Sequence, residues 1–284
     1  MSRARPPRLV ATDLDGTLVR SDGTVSGYTR AVLAALDERD VPVLFVTARP
    51  LRWMEELWPI VGGHGTAIVS NGAIWFDVPS RSVRHLWGID AEVGVALTDA
   101  IAAAVPEATF ALETESGIRY DPRFVDEWDP RPGSPRGPLR SIWTDPVVKL
   151  LVTAPRVDPE RLRTATLDAV GDRAVVTWTG PHLLEISAAG ITKAATLARV
   201  AAELGVTAAD VVAFGDMPND IPMITWAGTG YAMANADATL LEVADATAPG
   251  NDDDGVARVL ADLFGLDVAR SGEEPLQAID RGHR

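Results

Sequence analysis

Short apolar runs alternate with stretches of helical period along much of the chain. RLVAT (8–12), VPVLFVT (41–47), TAIVSNGA (66–73), DVVAFGD (210–216) and GYAMAN (230–235) read as buried strands, the third ending in a turn. GYTRAVLAALDER (27–39) reads as a helix with Ser26 as its N-cap, and Pro50 stands where helices often start, ahead of LRWMEELWPIV. ITKAATLARVAAELG (191–205) carries an apolar stripe at 194, 197, 200, 201 and 204, and Gly205 stops it. This alternation predicts an α/β fold, a doubly wound parallel sheet of Rossmann-like type with helices on both faces. Ligands bind such sheets outside the carboxyl ends of the strands. Asp13, Thr47, Asn71 and Asp216 each follow a strand-like run, so one sheet edge is expected to collect them.

The pattern changes between about residues 82 and 186. This section holds Trp87, Trp128, Trp143 and Trp178, and its stretch DPRPGSPRGPLR (129–140) suits neither a regular helix nor a central strand. It reads as a second domain, residues 83–186, inserted into a core made of 1–82 and 187–284, with 129–140 as a mobile loop and hinge linkers near 81–86 and 184–190. The polar, aperiodic end, about 270–284, is expected to be disordered.

Composition removes several classes of function. The 284-residue chain has no cysteine, which excludes disulfides and thiolate metal sites. His64, His85, His182 and His283 show no zinc-binding spacing. A formal charge of −14 argues against nucleic acid and anionic membranes as partners. The basic start MSRARPPR leads into only LVA before charge returns, too little for a signal peptide or membrane helix, so a cytoplasmic protein is expected. No heptad pattern points to an oligomeric state.

The polar groups predicted at the sheet edge suit one chemistry. Asp13 and Asp15 lie in DLDGT, Thr47 in VTARP, and Asp216, Asn219 and Asp220 in GDMPND, while Lys193 opens a helix. Taken singly these are turn residues, and a cation at a helix start is misplaced against the dipole unless an anion binds there. Taken together, Asp13 and Asp216 supply hard oxygen ligands of the kind Mg²⁺ takes beside a phosphate. One carboxylate can attack the phosphorus and a second, two residues on, can move the proton of the leaving alcohol and of water. The Thr47 hydroxyl, the Ala48 N–H and the Lys193 ammonium can hold phosphoryl oxygens.

In order and spacing, DLDGT, the threonine after the second strand, the lysine and GDxxND resemble the haloacid dehalogenase superfamily of Mg²⁺-dependent phosphohydrolases, and more narrowly its Cof-type subfamily with a type IIB cap. SNGA (70–73), LEISAAGITKAATL (184–197) and AGTGYAMANADATLLEVADAT with NDDDGVARVL (227–260) extend the resemblance over nearly the whole chain. It implies an α+β cap inserted between the second and third motifs. It implies Asp13 as nucleophile through an aspartyl-phosphate intermediate and Asp15 as acid/base. Asp13, the Asp15 backbone carbonyl and Asp216 would bind Mg²⁺, supported by Asp220, and Thr47, Lys193 and Asn219 would contact phosphate. Many relatives have glycine where this chain has Ala48 and Ala194; both positions keep their N–H.

The expected activity is hydrolysis of small phosphorylated metabolites such as sugar phosphates. A phosphomutase or phosphotransferase shares the first half-reaction, and a catalytically silent phosphometabolite-binding protein is the remaining alternative. Asn71 is placed where it can meet substrate. Trp128, Trp143, Arg119, Arg123 and Lys149 are candidate selectors in the insert, each more simply read as core or surface. Arg49 reads as a partner for an acidic residue, Asn251 as a residue at the site edge, and Asp252, Asp253 and Asp254 as a solvated acidic start to the last helix.

Overall fold

A computed structural model describes residues 6–55, 57–59, 65–127, 129–178 and 180–269. Trp128 and the end expected to be disordered, 270–284, lie outside the described residues. In chain order the elements are β1 (Leu9–Thr12), α1 (Gly27–Asp37), β2 (Val43–Val46), β3 (Thr66–Val69), β4 (Ile74–Asp77), β5 (Ser82–Leu86), α2 (Ala91–Ala104), β6 (Thr109–Thr114), β7 (Gly117–Tyr120), α3 (Leu139–Ile142), β8 (Lys149–Thr153), α4 (Pro159–Val170), β9 (Ala174–Trp178), β10 (Leu183–Ala188), α5 (Lys193–Glu203), β11 (Val211–Gly215), α6 (Ile221–Trp226), β12 (Thr229–Met233), α7 (Ala238–Leu241), β13 (Ala246–Ala248) and α8 (Gly255–Phe264). The chain divides into two compact units. One runs up to Arg49, takes Trp53–Arg84 and resumes at Lys193; the other holds Pro50–Arg52 and His85–Thr192.

The first unit carries an eight-stranded sheet of order β13-β12-β11-β1-β2-β3-β4-β5. The run from β13 to β3 is parallel, and β4 returns antiparallel to β3. Strand alternation sorts the core into two faces. Leu9, Ala11, Leu44 and Val46 pack with Leu197 and Val200 of α5 and Met223 and Ile224 of α6. Phe45 points the other way, toward Leu33 of α1, and α1 packs against α8. Ser26 does cap α1, its hydroxyl accepting from the Thr29 N–H. Gly205, at φ 65°, follows α5 in the left-handed conformation that ends helices.

The second unit is a five-stranded antiparallel sheet of order β7-β6-β8-β10-β9. Phe110, Leu112, Leu150, Val152, Leu184 and Ile186 line the face that packs on α2 and α4. Trp143 is part of this core, the simpler of its two readings, and its indole N–H donates to the Ile89 carbonyl at 3.1 Å. Arg119 is tied to the Ile142 carbonyl, Thr144 and Asp145, and Arg123 to the carbonyls of Pro106 and Ala108. Lys149 is buried and donates to Glu185 at 2.7 Å.

Three expectations need correction. Among the described residues, the run after Pro50 makes a single turn of 3-10 helix, Leu51–Trp53. The stretches expected to be hinge linkers, 81–86 and 184–190, are mostly strand, taken up by β5 and β10, although the division between the units does fall within the first, between Arg84 and His85. The 129–140 stretch is irregular up to Pro138, where α3 takes over, but tied: Arg136 donates to the carbonyls of Asp121 and Phe124 and stacks over Tyr120 at 4.8 Å. Among the described residues no helix is long and apolar enough to cross a membrane.

Candidate active site

Sheet order creates the site. β1 lies between β11 and β2, so the chain leaves β1 toward one side and comes back on the other, the switch point at which open α/β sheets bind ligands. The register pairs Thr12 with Phe214, and the Asp13 N–H donates to the Phe214 carbonyl at 3.0 Å. Asp13 and Asp216 therefore leave adjacent strands side by side. Asp220 reaches the same place from the turn after β11. One carboxylate oxygen from each of Asp13, Asp216 and Asp220 lies within 4.8 Å of the others, and all three residues are buried.

Lys193, at the first residue of α5, donates to Asp13 Oδ1 at 2.8 Å and to Asp220 Oδ1 at 2.7 Å. Asp220 is fully buried, and its Oδ2 accepts the backbone N–H groups of Asp216 and Met217 at 3.1 and 3.2 Å. Asp220 is thus committed to holding Lys193 and the turn, whereas Asp13 and Asp216 keep oxygens turned to the cluster. Thr17, which the sequence marked only as part of a turn, donates to Asp216 Oδ1 at 2.9 Å. Gly16 has φ 74°, and a Cβ there would overlap the Asp216 carboxylate, so the close approach of the two loops needs glycine.

Electrostatics follow from this crowding. Burial pushes the Asp13 carboxyl well above the usual carboxylate range; Asp220 and Asp216 add to the shift and Lys193 opposes it. Asp216 is pushed up to about 6 by burial and Asp220, against the hydrogen bond from Thr17 and the charge of Lys193. Burial alone would depress the Lys193 ammonium, but Asp13 and Asp220 outweigh it and raise its pKa. Three carboxylates facing one ammonium leave a surplus of negative charge among hard oxygen donors. That donor set fits a divalent cation of the hard, oxygen-seeking kind.

Around the cluster stand the other residues singled out by sequence. Thr47, buried after β2, accepts the Arg49 N–H on its hydroxyl at 3.1 Å, and Ala48 follows it, half-buried. Asn71, buried after β3, donates its N–H to the Thr47 carbonyl at 3.1 Å and accepts from the Asn219 amide at 3.5 Å. Asp15 stands beside the cluster, its side chain 51% exposed, and meets the Arg49 guanidinium. Asn251 donates to the Val19 carbonyl at 3.0 Å, and Asn235 donates to the Gly16 carbonyl at 2.8 Å. Asp252 and Asp254 are more than a solvated helix start. Asp252 accepts the Ser21 N–H, and Asp254 receives the Arg20 fork and the Thr29 hydroxyl.

Known proteins share this chain's sequence pattern and fold. Residues 10–260 match the family model of the haloacid dehalogenase-like hydrolases. The chain is 29% identical over 277 residues to the 5-amino-6-(5-phospho-D-ribitylamino)uracil phosphatase YitU of Bacillus subtilis (strain 168), covering 92% of this chain and 98% of that protein. It is 31% identical over 246 residues to the HMP-PP phosphatase of Enterobacter sp. (strain 638), covering 81% and 85%. Its fold superposes on the subclass IIB sugar phosphatase BT4131 with a TM-score of 0.73 at 20% identity, over 91% of this chain and 99% of that one. A paired-aspartate turn at the switch point, a lysine bridging it to GDMPND, and a family match running from β1 into α8 lead to one statement: the chain belongs to the haloacid dehalogenase-like hydrolases.

Proposed function

We propose that the protein is a Mg²⁺-dependent phosphatase that hydrolyses small phosphate monoesters through an aspartyl-phosphate at Asp13, with residues 83–186 as the inserted cap domain and 1–82 and 187–284 as the core domain. The observation that carries this reading is the buried Asp13–Asp216–Asp220 cluster bridged by Lys193. Asp13, Asp216 and the Asp15 backbone carbonyl would hold the metal, with Asp220 in support. Bound there, Mg²⁺ offsets the repulsion between the carboxylates and the ester's phosphate.

The chain's own groups then divide the work. Asp13 attacks the phosphorus, forming an O–P bond as the bond to the leaving oxygen breaks, and Asp15 gives that oxygen a proton. Asp15 next takes a proton from water as the water oxygen attacks the phosphorus, which releases phosphate and restores Asp13. Lys193 holds Asp13 Oδ1 and so sets the carboxylate's orientation. The Thr47 hydroxyl, the Ala48 N–H, Lys193 and the amides of Asn219 and Asn71 supply donors for the phosphoryl oxygens.

Relatives that act on a ribitylaminouracil phosphate and on HMP-PP support a small, polar, phosphorylated metabolite as substrate. The test is phosphate release from those two compounds, sugar phosphates, nucleotides, flavin mononucleotide and pyridoxal phosphate, with and without Mg²⁺. Release that needs Mg²⁺ and is lost in Asp13→Asn is expected. Conversion of a hexose 1-phosphate to an isomer without free phosphate would instead identify a mutase. Silence on every compound would favour the phosphometabolite-binding alternative.

A further inference from the structure

We infer that Arg49 is a positioning residue for proton transfer, fixing the plane of the Asp15 carboxylate; the inference rests on the reading of Asp15 as the acid/base. Arg49 Nε donates to Asp15 Oδ2 at 2.7 Å and Nη2 to Oδ1 at 2.6 Å. Two parallel bonds from a planar guanidinium fix both the position and the plane of a carboxylate, which a single bond does not. The division of exposure suits this role. The Asp15 side chain is 51% exposed and so open to an incoming ester, while Arg49, at 14%, is the anchored partner. Each Asp15 oxygen keeps a second lone pair for a proton when the fork has taken the first.

The backbone under Arg49 is fixed as well. Its N–H donates to the Thr47 hydroxyl, and its carbonyl accepts the Ser70 N–H at 2.9 Å. Ser70 and Asn71 both adopt left-handed backbone, φ 53° and 56°, an unfavourable choice for two successive residues other than glycine. That conformation delivers the Ser70 and Asn71 N–H groups to the carbonyls of Arg49 and Thr47. The loop 47–49 is thereby clamped from the adjacent strand, so the fork stands on a rigid mount. The mount also joins Asp15 to Thr47, which lies among the proposed phosphate donors.

The competing role for Arg49 is direct contact with the substrate phosphate, and the leaving group separates the two. Nitrophenolate departs without a proton; an alkoxide needs one. The value of kcat/KM covers binding through P–O cleavage, so it reports this step whatever limits turnover later. The probes are p-nitrophenyl phosphate and glycerol 3-phosphate, with Mg²⁺, on wild type, Arg49→Met, Arg49→Lys and Asp15→Asn. General acid catalysis is worth about 10²–10⁴-fold, and loss of orientation is expected to forfeit about tenfold of it. Arg49→Met should therefore lose about tenfold more kcat/KM on the alkyl ester than on the nitrophenyl ester. Arg49→Lys, which restores charge but not the fork, should keep most of that selective loss. The ratio is internal to each preparation, so partial unfolding does not mimic it. Equal losses on both esters, or none, with Asp15→Asn still selective, would overturn the role of Arg49 alone. An Asp15→Asn variant with no selective loss would remove the acid/base reading, and the Arg49 inference with it.

Discussion

Each unit of the protein buries a cluster of charges, and the two clusters are built on opposite terms. At the sheet edge of the first unit, Asp13, Asp216 and Asp220 face the single ammonium of Lys193. On the sheet of the second unit, Glu113 stands beside Lys149 in register and receives the Arg52 fork, Lys149 donates to Glu185, and Arg52 also meets Asp129. There three cations answer three carboxylates, since Arg131 also donates to Asp129, which is partly open to solvent. Burial raises the Glu113 pKa, but Arg52 pulls it back, whereas Asp13 is driven far up. Buried charge that is matched in place is what a fold needs; buried charge left over at the end of strands is a demand for something the chain does not supply. The leftover charge, not burial as such, marks the site.

The largest expected effect breaks the comparison at its unmatched side. Asp13→Asn removes the proposed nucleophile and should lower phosphate release by at least about a thousandfold. The same change relieves crowding among carboxylates while leaving Lys193 its bond to Asp220. It should raise the melting temperature of the metal-free protein by about 2–4 °C, the shift that roughly 1 kcal/mol gives in a chain of this size. Loss of activity with a lower melting temperature would mean that the cluster is balanced after all.

The matched cluster should behave in the opposite sense. Lys149→Met leaves Glu185 and Glu113 buried without their ammonium and should cost about 3–5 kcal/mol of stability, read from urea unfolding. Adding Glu185→Leu should recover much of that, because removing both members of a buried pair costs far less than removing one. A Lys149→Met variant of normal stability with altered substrate preference would return Lys149 to the role of selector.

The contrast also explains what the sequence could and could not show. The strands ending at Thr12, Val46, Val69 and Gly215 were legible because each is a continuous apolar run closed by polar residues. Their polar followers could be gathered at one edge by a topological rule alone. The turn after Pro50 was misread as a helix because periodicity is local and the partners of Arg52, Glu113 and Asp129, are 61 and 77 residues away. The segments expected to be hinges were lost to β5 and β10 for the same reason: a strand exists only once its neighbour does. Arg49 carried a usable signal, two residues beyond Thr47 at the edge shared with Asp15, but the fork itself is a matter of geometry.

Titration offers a finer probe of the unmatched side. Asp216 is raised to about 6 from an ordinary 3.8, so the folded state favours its proton. The stability it contributes is whole below the unfolded value and is lost as pH climbs through the folded one. In metal-free protein, wild type should lose stability relative to Asp216→Asn between about pH 4 and pH 7. Mg²⁺ at neutral pH should stabilise wild type and not the variant, because a ligand that binds only the folded state adds to its stability. Melting curves of the two proteins across that range, with and without Mg²⁺, measure both effects. A flat difference would show that Asp216 is already neutralised by Thr17 and Lys193.

The smallest effect concerns the tethers that hold the unmatched charges in place. Asn251, 5% exposed, donates to the Val19 carbonyl, and its own N–H donates to Asn235, which in turn donates to the Gly16 carbonyl. The chain between Gly16 and Val19 follows directly on Asp15, whose carbonyl is proposed to face the metal. Repulsion within the cluster pushes its loops apart, and a pair of asparagines more than 200 residues downstream opposes that push. Asn251→Ala removes the side-chain donor to the Val19 carbonyl and should cost about 1–2 kcal/mol. If the tether serves only the fold, activity at saturating Mg²⁺ and the Mg²⁺ concentration for half-activity should stay at wild-type values. If it holds the Asp15 turn in register, half-activity should need several-fold more Mg²⁺ while kcat at saturation falls less, since bound metal draws the carbonyl back into place. The second outcome is expected, because Lys193 and Thr17 bond the unmatched carboxylates without cancelling their surplus charge, so the turn that carries Asp13 and Asp15 depends on being held from outside as well.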